Sequence, residues 1–391
     1  MILSDKMQYF GPSIFVKLKD AVASCSLPIC DLSVGTPDLP PPKHIIDAFL
    51  AAAADVENYK YALADTRELQ DAVVEWYQRR FSVYLERENI CGLVGSQDGL
   101  AHLPLALANP GDPILVPNPG YPMFLSGARL SSAAIVYTPI QEENGYLVDY
   151  ESISPSVAHS AKLLILSYPA NPLGRLAPME FFEKTVWFAK KYGIYVLHDN
   201  AYVELTFDGA QGHSFLEIKG ASDIGVEFNS LSKSYNLTGA RISFMLGNAD
   251  LCAALTQLKS NIDYGIFKPV QAMAIAAISG PQDGLVSLRA EYQARRDALC
   301  STLSEGGWRV TPPQGTMFAW LKLPERFQDS LDFTLKLLDN TGVALVPGVS
   351  FGSLGEGYVR IGLVRPATEM TLAAQKIMAF MEKPNDGPPV V

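Results

Sequence analysis

The segment "KLLILSYPANPLGRLAPMEFFEKTVWFAKKYGIYVLHDN", residues 162–200, places a long amphipathic stretch between two shorter runs rich in apolar residues. The runs "KLLILSYP" and "GIYVLHDN" have the length of buried strands, and "APMEFFEKTVWFAKKYG" between them has the apolar spacing of a helix. Strands that are apolar on both faces and joined by a helix are typical of a parallel sheet covered on both sides. The segment therefore predicts a strand–helix–strand unit of such a sheet.

The same alternation extends over most of the chain. Further strands are predicted in "NICGLVGS", "DPILVPNPGY", "AAIVYTPI" and "IGVEFNSLSK", and further helices in "IIDAFLAAAAD" and "ELQDAVVEWYQRRF". From Asp283 onward a charged helix precedes the strand-like runs "MFAWLKLP" and "GYVRIGLV". We therefore predict an α/β fold with a mostly parallel sheet and helices on both faces, as a large domain over residues 45–282. Residues 1–44 and 283–391 are predicted to form a smaller α+β domain.

Composition and charge limit the possible functions. The 391 residues are 48% hydrophobic and carry a formal net charge of -10, which disfavours binding to nucleic acid or to an anionic membrane surface. The five cysteines form no C-x-x-C pair, so we expect neither a zinc site nor a disulfide framework. The start "MILSDKMQYFGP" lacks the pattern of a signal peptide, and no apolar run approaches the roughly 18 residues of a membrane span. We expect a cytoplasmic protein without a metal.

Polar residues follow the predicted strands at the positions where ligands bind in open parallel sheets, which is beyond the carboxyl ends of the strands. Any one of them is a common turn or cap residue, but five strand ends with such residues together predict a ligand site. The residues are Ser96, Gln97, Tyr121, Asn171, Asp199, Tyr202, Ser230, Ser232 and Lys233.

The stretch "SLSKSYNLTGAR", residues 230–241, combines a lysine with groups that bind anions. Ser230, Ser232 and Arg241, with Ser96 at the start of a predicted helix, would bind a phosphate, because helix N-termini and arginine forks both favour dianions. The amine of Lys233 can form a Schiff base with an aldehyde.

Two further side chains suit an aromatic ring that carries this aldehyde. Asp199 lies in an apolar strand and could keep a ring nitrogen protonated, and Tyr202 could hydrogen-bond a phenolic oxygen. A phosphorylated aldehyde on a pyridinium ring satisfies all of these groups. The predicted cofactor is therefore pyridoxal 5'-phosphate.

With these residues in place, "SLSKSYNLTGAR" resembles the lysine signature of the class I/II aminotransferases, a fold-type I family of pyridoxal-phosphate enzymes, and the resemblance covers nearly the whole chain. Motifs similar to those of the family are "LSVGTPDLPPP", "GYPMF", "YPANPLG", "HDNAY" and "YVRIGL". The resemblance implies that Gly35 approaches the substrate, that Tyr121 stacks on the cofactor ring and that Asn171 binds its phenolic oxygen. It also implies that Arg360 binds the substrate α-carboxylate, although Arg365 lies close enough in sequence to share or take that role.

The segment "YKYALADTRELQDAV" is similar to the family segment whose tyrosine reaches into the partner subunit's active site, which implies a homodimer. The glycine that usually follows this tyrosine is missing here, so Tyr59 and Tyr61 both compete for the role. We favour Tyr61, because that alignment assumes only a one-residue deletion.

The implied reaction is transfer of an amino group between an L-amino acid and a 2-oxo acid, with Lys233 as the base. The stretches "GSQDGLAHL" and "FNSLSKSYNLTG" place the resemblance nearest the LL-diaminopimelate aminotransferases. A pyridoxal-phosphate carbon–sulfur lyase would share almost every residue named above and stays an alternative. A serine hydrolase using Ser350 in "GVSFG" is a distant one, because all five histidines precede that serine. A DNA-binding regulator is disfavoured, because no basic segment precedes residue 30.

Overall fold

A computed structural model describes residues 3–10 and 14–382 of the chain. The helices are α1 (Ile14–Ser24), α2 (Lys43–Ala53), α3 (Arg67–Phe81), α4 (Ser96–Leu107), α5 (Phe124–Leu130), α6 (Pro155–Ser160), α7 (Met179–Tyr192), α8 (Leu231–Ser234), α9 (Ala249–Lys259), α10 (Lys268–Ser279), α11 (Asp283–Glu305), α12 (Ser330–Thr341) and α13 (Ala367–Glu382). The strands are β1 (Cys30–Asp31), β2 (Ile90–Leu93), β3 (Pro113–Asn118), β4 (Ala134–Pro139), β5 (Leu163–Ser167), β6 (Tyr195–Asp199), β7 (Gly225–Ser230), β8 (Ser243–Gly247), β9 (Phe318–Lys322), β10 (Val343–Ala344), β11 (Val346–Pro347) and β12 (Tyr358–Gly362).

A seven-stranded sheet has the order β2-β8-β7-β6-β5-β3-β4. The strands from β3 to β7 pair in parallel, and β8 runs antiparallel to both of its neighbours, β2 and β7. The predicted α/β class with a mostly parallel sheet is therefore confirmed. The strand β8 was not among the predicted ones, although it completes the pairing of β2 with the rest of the sheet.

The alternation of side chains along the strands gives the sheet two apolar faces. On one face Leu164 belongs to the same buried cluster as Phe182 of α7. On the other, Leu163 belongs to a second buried cluster with Leu103 of α4 and Phe124 of α5. Burying a large apolar side chain stabilises the fold by roughly 1.5–3 kcal/mol, so strands with two apolar faces require helices on both sides. This matches the predicted arrangement.

Helix α7, between β5 and β6, shows how the sequence sets the limits of an element. Phe181, Phe182 and Val186 are buried on its inner face, at the spacing of successive helical turns. The helix ends where Gly193 adopts φ 71, a left-handed conformation that glycine accepts without steric cost. The chain then turns directly into β6.

The C-terminal part of the chain builds a separate antiparallel sheet in the order β11-β12-β9, in which Arg360 pairs with Trp320. The short strand β1 pairs in parallel with β10, and Cys30 is opposite Val343. This pairing brings the N-terminal segment beside the C-terminal region. A small domain formed from both ends of the chain, as we propose, requires such a contact.

Within residues 3–10 and 14–382, no helix is both long and apolar enough to cross a membrane. In the same part of the chain, no three His, Cys, Asp or Glu side chains are grouped so that they could hold a metal ion.

Candidate active site

A cavity of ≈ 790 Å³ lies at the carboxyl ends of the central strands. Every site residue that we predicted from the sequence lines this cavity, with the exception of Tyr61. Those residues are Gly35, Ser96, Gln97, Tyr121, Asn171, Asp199, Tyr202, Ser230, Ser232, Lys233, Arg241 and Arg360. The fold thus brings together residues that are up to 325 positions apart, from Gly35 to Arg360. Among the described residues, neither Ser350 nor any histidine lines the cavity.

Lys233 lies on the short helix α8, directly after β7. The side chain of Ser230 caps this helix by accepting a hydrogen bond from the Ser232 amide, at 3.2 Å. The Lys233 Nζ donates to the carbonyl oxygen of Gly35 at 2.6 Å. Burial, together with the smaller effect of the positive charges of Arg360 and Arg241, lowers the pKa of Lys233 to about 8. A large share of this amine is therefore neutral and nucleophilic in mildly alkaline solution.

The lowered pKa predicts how Lys233 reacts with an aldehyde in the cofactor-free protein. Only the neutral amine reacts, so the rate should rise about tenfold per pH unit below pH 8 and level off above it. An ordinary lysine, with a pKa of about 10.4, would still be gaining reactivity at pH 9.5. The measurement is mass spectrometry of the Lys233 peptide after borohydride trapping between pH 6 and 10. A rate that keeps rising through pH 10 would contradict the prediction.

Asp199 ends β6 with its carboxyl group inside the cavity wall. The residue is 6% exposed, and its Oδ1 has no hydrogen-bond partner among the described residues. Burial raises the pKa of Asp199 to about 6, and the neighbouring His198 opposes this rise. Because the side chain is a carboxylate above about pH 6, it can accept a hydrogen bond from an N–H or O–H group of a ligand in the cavity.

The residue before Asp199 belongs to a buried polar network under the same strand end. His198 is fully buried, with its Nδ1 2.9 Å from Glu227 Oε2 and its Nε2 2.9 Å from the Tyr168 carbonyl oxygen. Glu227 also accepts hydrogen bonds from the Tyr77 hydroxyl at 2.7 Å and from the Phe215 amide at 2.7 Å. These bonds join β6 to β7 and to α3, so they hold the strand end that carries Asp199.

Arg360 of β12 is a buried cation, 4% exposed. Its guanidinium donates to Asn171 Oδ1 at 3.2 Å and to the Ser33 carbonyl oxygen at 3.0 Å. Its carbon Cζ lies 4.0 Å from the ring centroid of Phe318 and 4.8 Å from that of Phe351. Burial lowers the pKa of Arg360 to about 10, so the group stays charged at neutral pH.

The Nε atom of Arg360 is buried and has no partner among the described residues. A buried guanidinium with a free donor in a cavity is suited to a carboxylate, which accepts two parallel hydrogen bonds from such a fork. Arg365, the alternative left open by the sequence, is only partly buried and does not line the cavity. The geometry therefore favours Arg360.

Another group of lining residues is suited to a phosphate. Gly95, just before α4, has φ +76, and a Cβ atom there would lie 2.3 Å from Arg241 Nη2, so only glycine allows the guanidinium this close. The Ser96 Oγ is buried without a partner among the described residues. An arginine, a free hydroxyl and the N-terminus of the 12-residue α4 together favour a dianion.

Helix α1 forms part of the wall, which sequence reasoning missed. Phe15, Leu18, Lys19 and Val22 of this helix line the cavity. The spacing of Phe15, Leu18 and Val22 follows one helical face, so the apolar pattern could have indicated a helix with one face against the protein. Nothing in the pattern indicated that this face lies over a ligand site. Ser33 and Phe318 were missed for the same reason.

Tyr61 lies apart from the cavity. Its side chain is 84% exposed, and its ring centroid lies 6.0 Å from that of Tyr264. Tyr59 is 64% exposed, and its hydroxyl donates to the Ala53 carbonyl oxygen at 3.1 Å. The role of Tyr61 across a dimer stays a prediction.

Comparison with known proteins assigns the family. The model of the family "Aminotransferase class I and II" matches residues 28–377. The chain belongs to this family. The aminotransferase is 41% identical to the LL-diaminopimelate aminotransferase of Desulforudis audaxviator over 377 residues, covering 95% of this chain and 96% of that one. It is 39% identical to the protein of the same name from Moorella thermoacetica over 383 residues, covering 97% and 98%.

Solved structures agree with this assignment. The aminotransferase matches substrate-bound BacF from Bacillus subtilis with a TM-score of 0.92 and 34% identity, over 97% of this chain and 98% of that one. It matches an aminotransferase from Staphylococcus aureus with a TM-score of 0.89 and 32% identity, over 96% and 98%. The predicted family and the predicted enzyme class, a transaminase, are therefore confirmed. Aminotransferases of this family depend in general on pyridoxal phosphate.

Proposed function

We propose that this aminotransferase binds pyridoxal 5'-phosphate on Lys233 and moves an amino group between LL-diaminopimelate and a 2-oxo acid such as 2-oxoglutarate. The observation that carries the proposal is the convergence of Lys233, Asp199 and Arg360 on one cavity. These residues supply an amine of lowered pKa, a buried carboxylate and a buried cation. Together they are the groups that such a transfer needs.

Three buried polar atoms without partners among the described residues support the fit of the cofactor and of the substrate: Ser96 Oγ, Asp199 Oδ1 and Arg360 Nε. Ser96, Ser230, Ser232, Arg241 and the start of α4 would hold the phosphate. Asp199 would face the ring nitrogen, Asn171 and Tyr202 the phenolic oxygen, and Tyr121 the ring face. The remaining free atom, on Arg360, would be left for the substrate carboxylate.

When bound, pyridoxal phosphate supplies an aldehyde that takes up the amino group and a ring that withdraws electrons from the substrate α-carbon. Arg360 orients the substrate by binding its carboxylate. The neutral Lys233 Nζ removes the proton from the α-carbon of the amino acid and later delivers one to the α-carbon of the oxo acid. Asp199, a carboxylate above about pH 6, keeps the proton on the ring nitrogen. The apolar residues of α1 limit the access of water.

The choice of LL-diaminopimelate comes from the relatives, which carry that name at about 40% identity. One residue of the cavity wall supports a substrate with a second carboxylate. Lys19 of α1 adds a cation on an element other than those that carry Lys233, Arg241 and Arg360. We propose that it attracts the distal carboxylate.

Single amino acids added to the cofactor-loaded enzyme test this function, because only a true donor changes the cofactor's absorbance and releases its oxo acid. We expect LL-diaminopimelate to react far better than L-lysine, which lacks only the distal carboxylate. Lys19→Met should narrow this preference up to about 5-fold, since a solvated ion pair stabilises by up to about 1 kcal/mol. Equal reaction of both donors in the wild-type enzyme would contradict the proposed substrate.

The carbon–sulfur lyase alternative has its own readout in the same experiment. A lyase would release pyruvate from cystathionine or cysteine without any oxo acid acceptor. We expect no pyruvate above the level of a cofactor-free control. Rapid pyruvate release with no amino transfer to 2-oxoglutarate would contradict the proposed transamination and show that the enzyme is a lyase.

We further propose a homodimer in which Tyr61 contacts the cofactor phosphate of the partner subunit. Its exposure supports this role, whereas the Tyr59 hydroxyl is already bonded to Ala53. Light scattering should return the mass of two chains. Tyr61→Phe should weaken cofactor binding about 10-fold or more, because a hydrogen bond to a charged group stabilises by roughly 1.5–3 kcal/mol. Tyr59→Phe is the matched control and should change the affinity for the cofactor less than twofold. A monomer in solution, or equal effects of the two variants, would contradict the proposal.

The division into a large domain (residues 45–282) and a small one (residues 1–44 and 283–391) also belongs to this proposal. The parallel pairing of Cys30 with Val343, which joins the two ends of the chain, supports it. The expected cytoplasmic location likewise remains proposed, and it suits an enzyme of amino-acid biosynthesis.

A further inference from the structure

Helix α11 carries two adjacent buried cations that the reaction does not use. Arg295 is 1% exposed and Arg296 is 4% exposed. Removing a guanidinium from water costs several kcal/mol unless it is well paired, so two of them in succession require specific partners. Each has a fork-shaped pairing with one aspartate from another part of the chain, in two different segments that also contribute residues to the cavity wall. Each also pairs with a carboxylate of α11 itself, Arg295 with Glu291 at 2.8 Å and Arg296 with Asp297 at 2.7 Å.

Arg295 binds the segment of residues 33–38, named here the substrate loop. Its Nη1 lies 2.6 Å from Asp38 Oδ1 and its Nη2 lies 3.0 Å from Asp38 Oδ2. The same Nη1 donates to the carbonyl oxygen of Leu363 at 3.1 Å, just after β12, the strand of Arg360. Arg295 therefore ties the substrate loop to the end of that strand.

The substrate loop in turn contacts both Arg360 and Lys233. Its Ser33 carbonyl oxygen accepts a hydrogen bond from Arg360 Nη2 at 3.0 Å. Its Gly35 carbonyl oxygen accepts one from Lys233 Nζ at 2.6 Å. A displacement of the loop would therefore change the orientation of the proposed carboxylate-binding group.

Arg296 binds a second segment, residues 202–208, named here the tyrosine segment because it begins with Tyr202. Its Nη1 lies 2.6 Å from Asp208 Oδ2, and its Nη2 lies 2.7 Å from Asp208 Oδ1. It also donates to the Pro313 carbonyl oxygen at 3.2 Å, and its Cζ lies 5.0 Å from the ring centroid of Phe207. Arg296 thus fixes the segment that presents Tyr202 to the cofactor side of the cavity.

We propose that Arg295 and Arg296 are positioning residues that hold the two sides of the active site through one helix. Consecutive helical residues point about 100° apart, so one 23-residue helix can bind two separate segments at adjacent positions. Arg295 controls the substrate side, through Ser33 and Arg360. Arg296 controls the cofactor side, through Tyr202. The roles of these two sides rest on the proposed function, but the clamping of the two segments does not.

Amide hydrogen exchange in the cofactor-free protein tests the clamp without any catalysis. Arg295→Met should speed exchange in the substrate loop at least about 5-fold and leave the tyrosine segment unchanged. Arg296→Met should do the reverse. Arg87→Met is the control, because Arg87 forms a similar fork with Asp71 at 2.7 and 2.8 Å, but its own side chain is 45% exposed whereas those of Arg295 and Arg296 are buried. It should alter neither segment.

Kinetics of the loaded enzyme give the second readout. Arg295→Met should raise KM for the amino donor about 10-fold or more with kcat within about threefold, and should not change cofactor retention on dilution. Arg296→Met should speed cofactor loss about 10-fold and leave KM for the donor within about threefold. If the two arginines only supported the fold, each variant would weaken both donor binding and cofactor retention.

The aspartate partners provide variants that are less disruptive, in case a buried methionine unfolds the protein. Asp38→Asn and Asp208→Asn should reproduce the two separate patterns, and asparagine accepts the left-handed φ of 58 at Asp208. Asp38→Asn combined with Arg295→Met should have no more effect than Arg295→Met alone. Exchange that speeds up in both segments, or in neither, would overturn the clamp. If the exchange patterns hold but no amino acid reacts with the wild-type enzyme, the proposed function fails and the clamp stands.

Discussion

Replacing Lys233 by alanine is expected to lower kcat at least about 10³-fold. In the proposed function the amine supplies the covalent link to the cofactor and the base for the α-proton, and general acid–base catalysis alone contributes about 10²- to 10⁴-fold. Its pKa of about 8 places it close to the operating pH, where such catalysis is most efficient. The measurement is steady-state transfer from LL-diaminopimelate to 2-oxoglutarate at pH 8, with single-turnover kinetics to isolate the proton transfer.

The control for this substitution is Lys162→Ala, an exposed lysine just before β5, which should leave kcat within about twofold. The thermal unfolding midpoints of the cofactor-free wild type and variant distinguish a folding defect from a loss of catalysis. The unfolded chain binds a proton at Lys233 up to about pH 10.4, but the folded chain releases it near pH 8. This group therefore opposes folding below pH 8, and the penalty fades between pH 8 and 10.4. The alanine variant should melt no lower than the wild type at pH 7. Turnover within threefold of wild type would refute the assignment of Lys233.

Replacing Arg360 by methionine is expected to lower kcat/KM for the amino donor by about 10²- to 10³-fold. Removing one partner of a buried charge pair costs about 2–5 kcal/mol, because the substrate carboxylate would enter an apolar site without its counterion. Methionine keeps apolar contact with Phe318 and Phe351, so the effect reports the charge and the hydrogen bonds rather than packing. Arg360→Lys should recover only part of the loss, since a single ammonium cannot form the two parallel bonds.

Arg365→Met is the matched control, because Arg365 does not line the cavity. It should leave kcat/KM within about threefold. A second control uses a primary amine without a carboxylate, whose slow reaction with the loaded enzyme should be equal in the wild type and in the Arg360 variant. A uniform loss for both kinds of substrate would mean that Arg360 supports the fold and does not bind the carboxylate.

The parts of the site that could be predicted are those attached to strand ends. Asp199 follows the apolar run of β6, and Lys233 comes just after β7, so their order in the sheet follows from the alternation of strands and helices. In a parallel sheet these ends all lie at one edge, and local sequence alone therefore brings the residues together. Asn171 and Tyr121 could be predicted for the same reason.

Other parts depended on contacts between distant segments. The motif "YVRIGL" implied Arg360 only by resemblance, and the contacts of Arg360 with Phe318, Asn171 and Ser33, which favour it over Arg365, lie in other segments. The strand β8 was missed although Ser243–Gly247 is a short, fully buried run, whereas its antiparallel direction is set by the neighbours on both sides.

The sequence by itself determined the mostly parallel sheet, apart from β8, and the family, because these follow from short patterns along one strand or helix. Only the tertiary structure decided that α1 and the substrate loop form the wall over Lys233, and that Asp38 and Asp208 meet neighbouring arginines of α11. The physical reason is the distance along the chain over which each interaction acts. Hydrophobic periodicity and capping act over a few residues, whereas a buried guanidinium is satisfied by whichever carboxylate the folded chain brings to it, here 257 and 88 positions away.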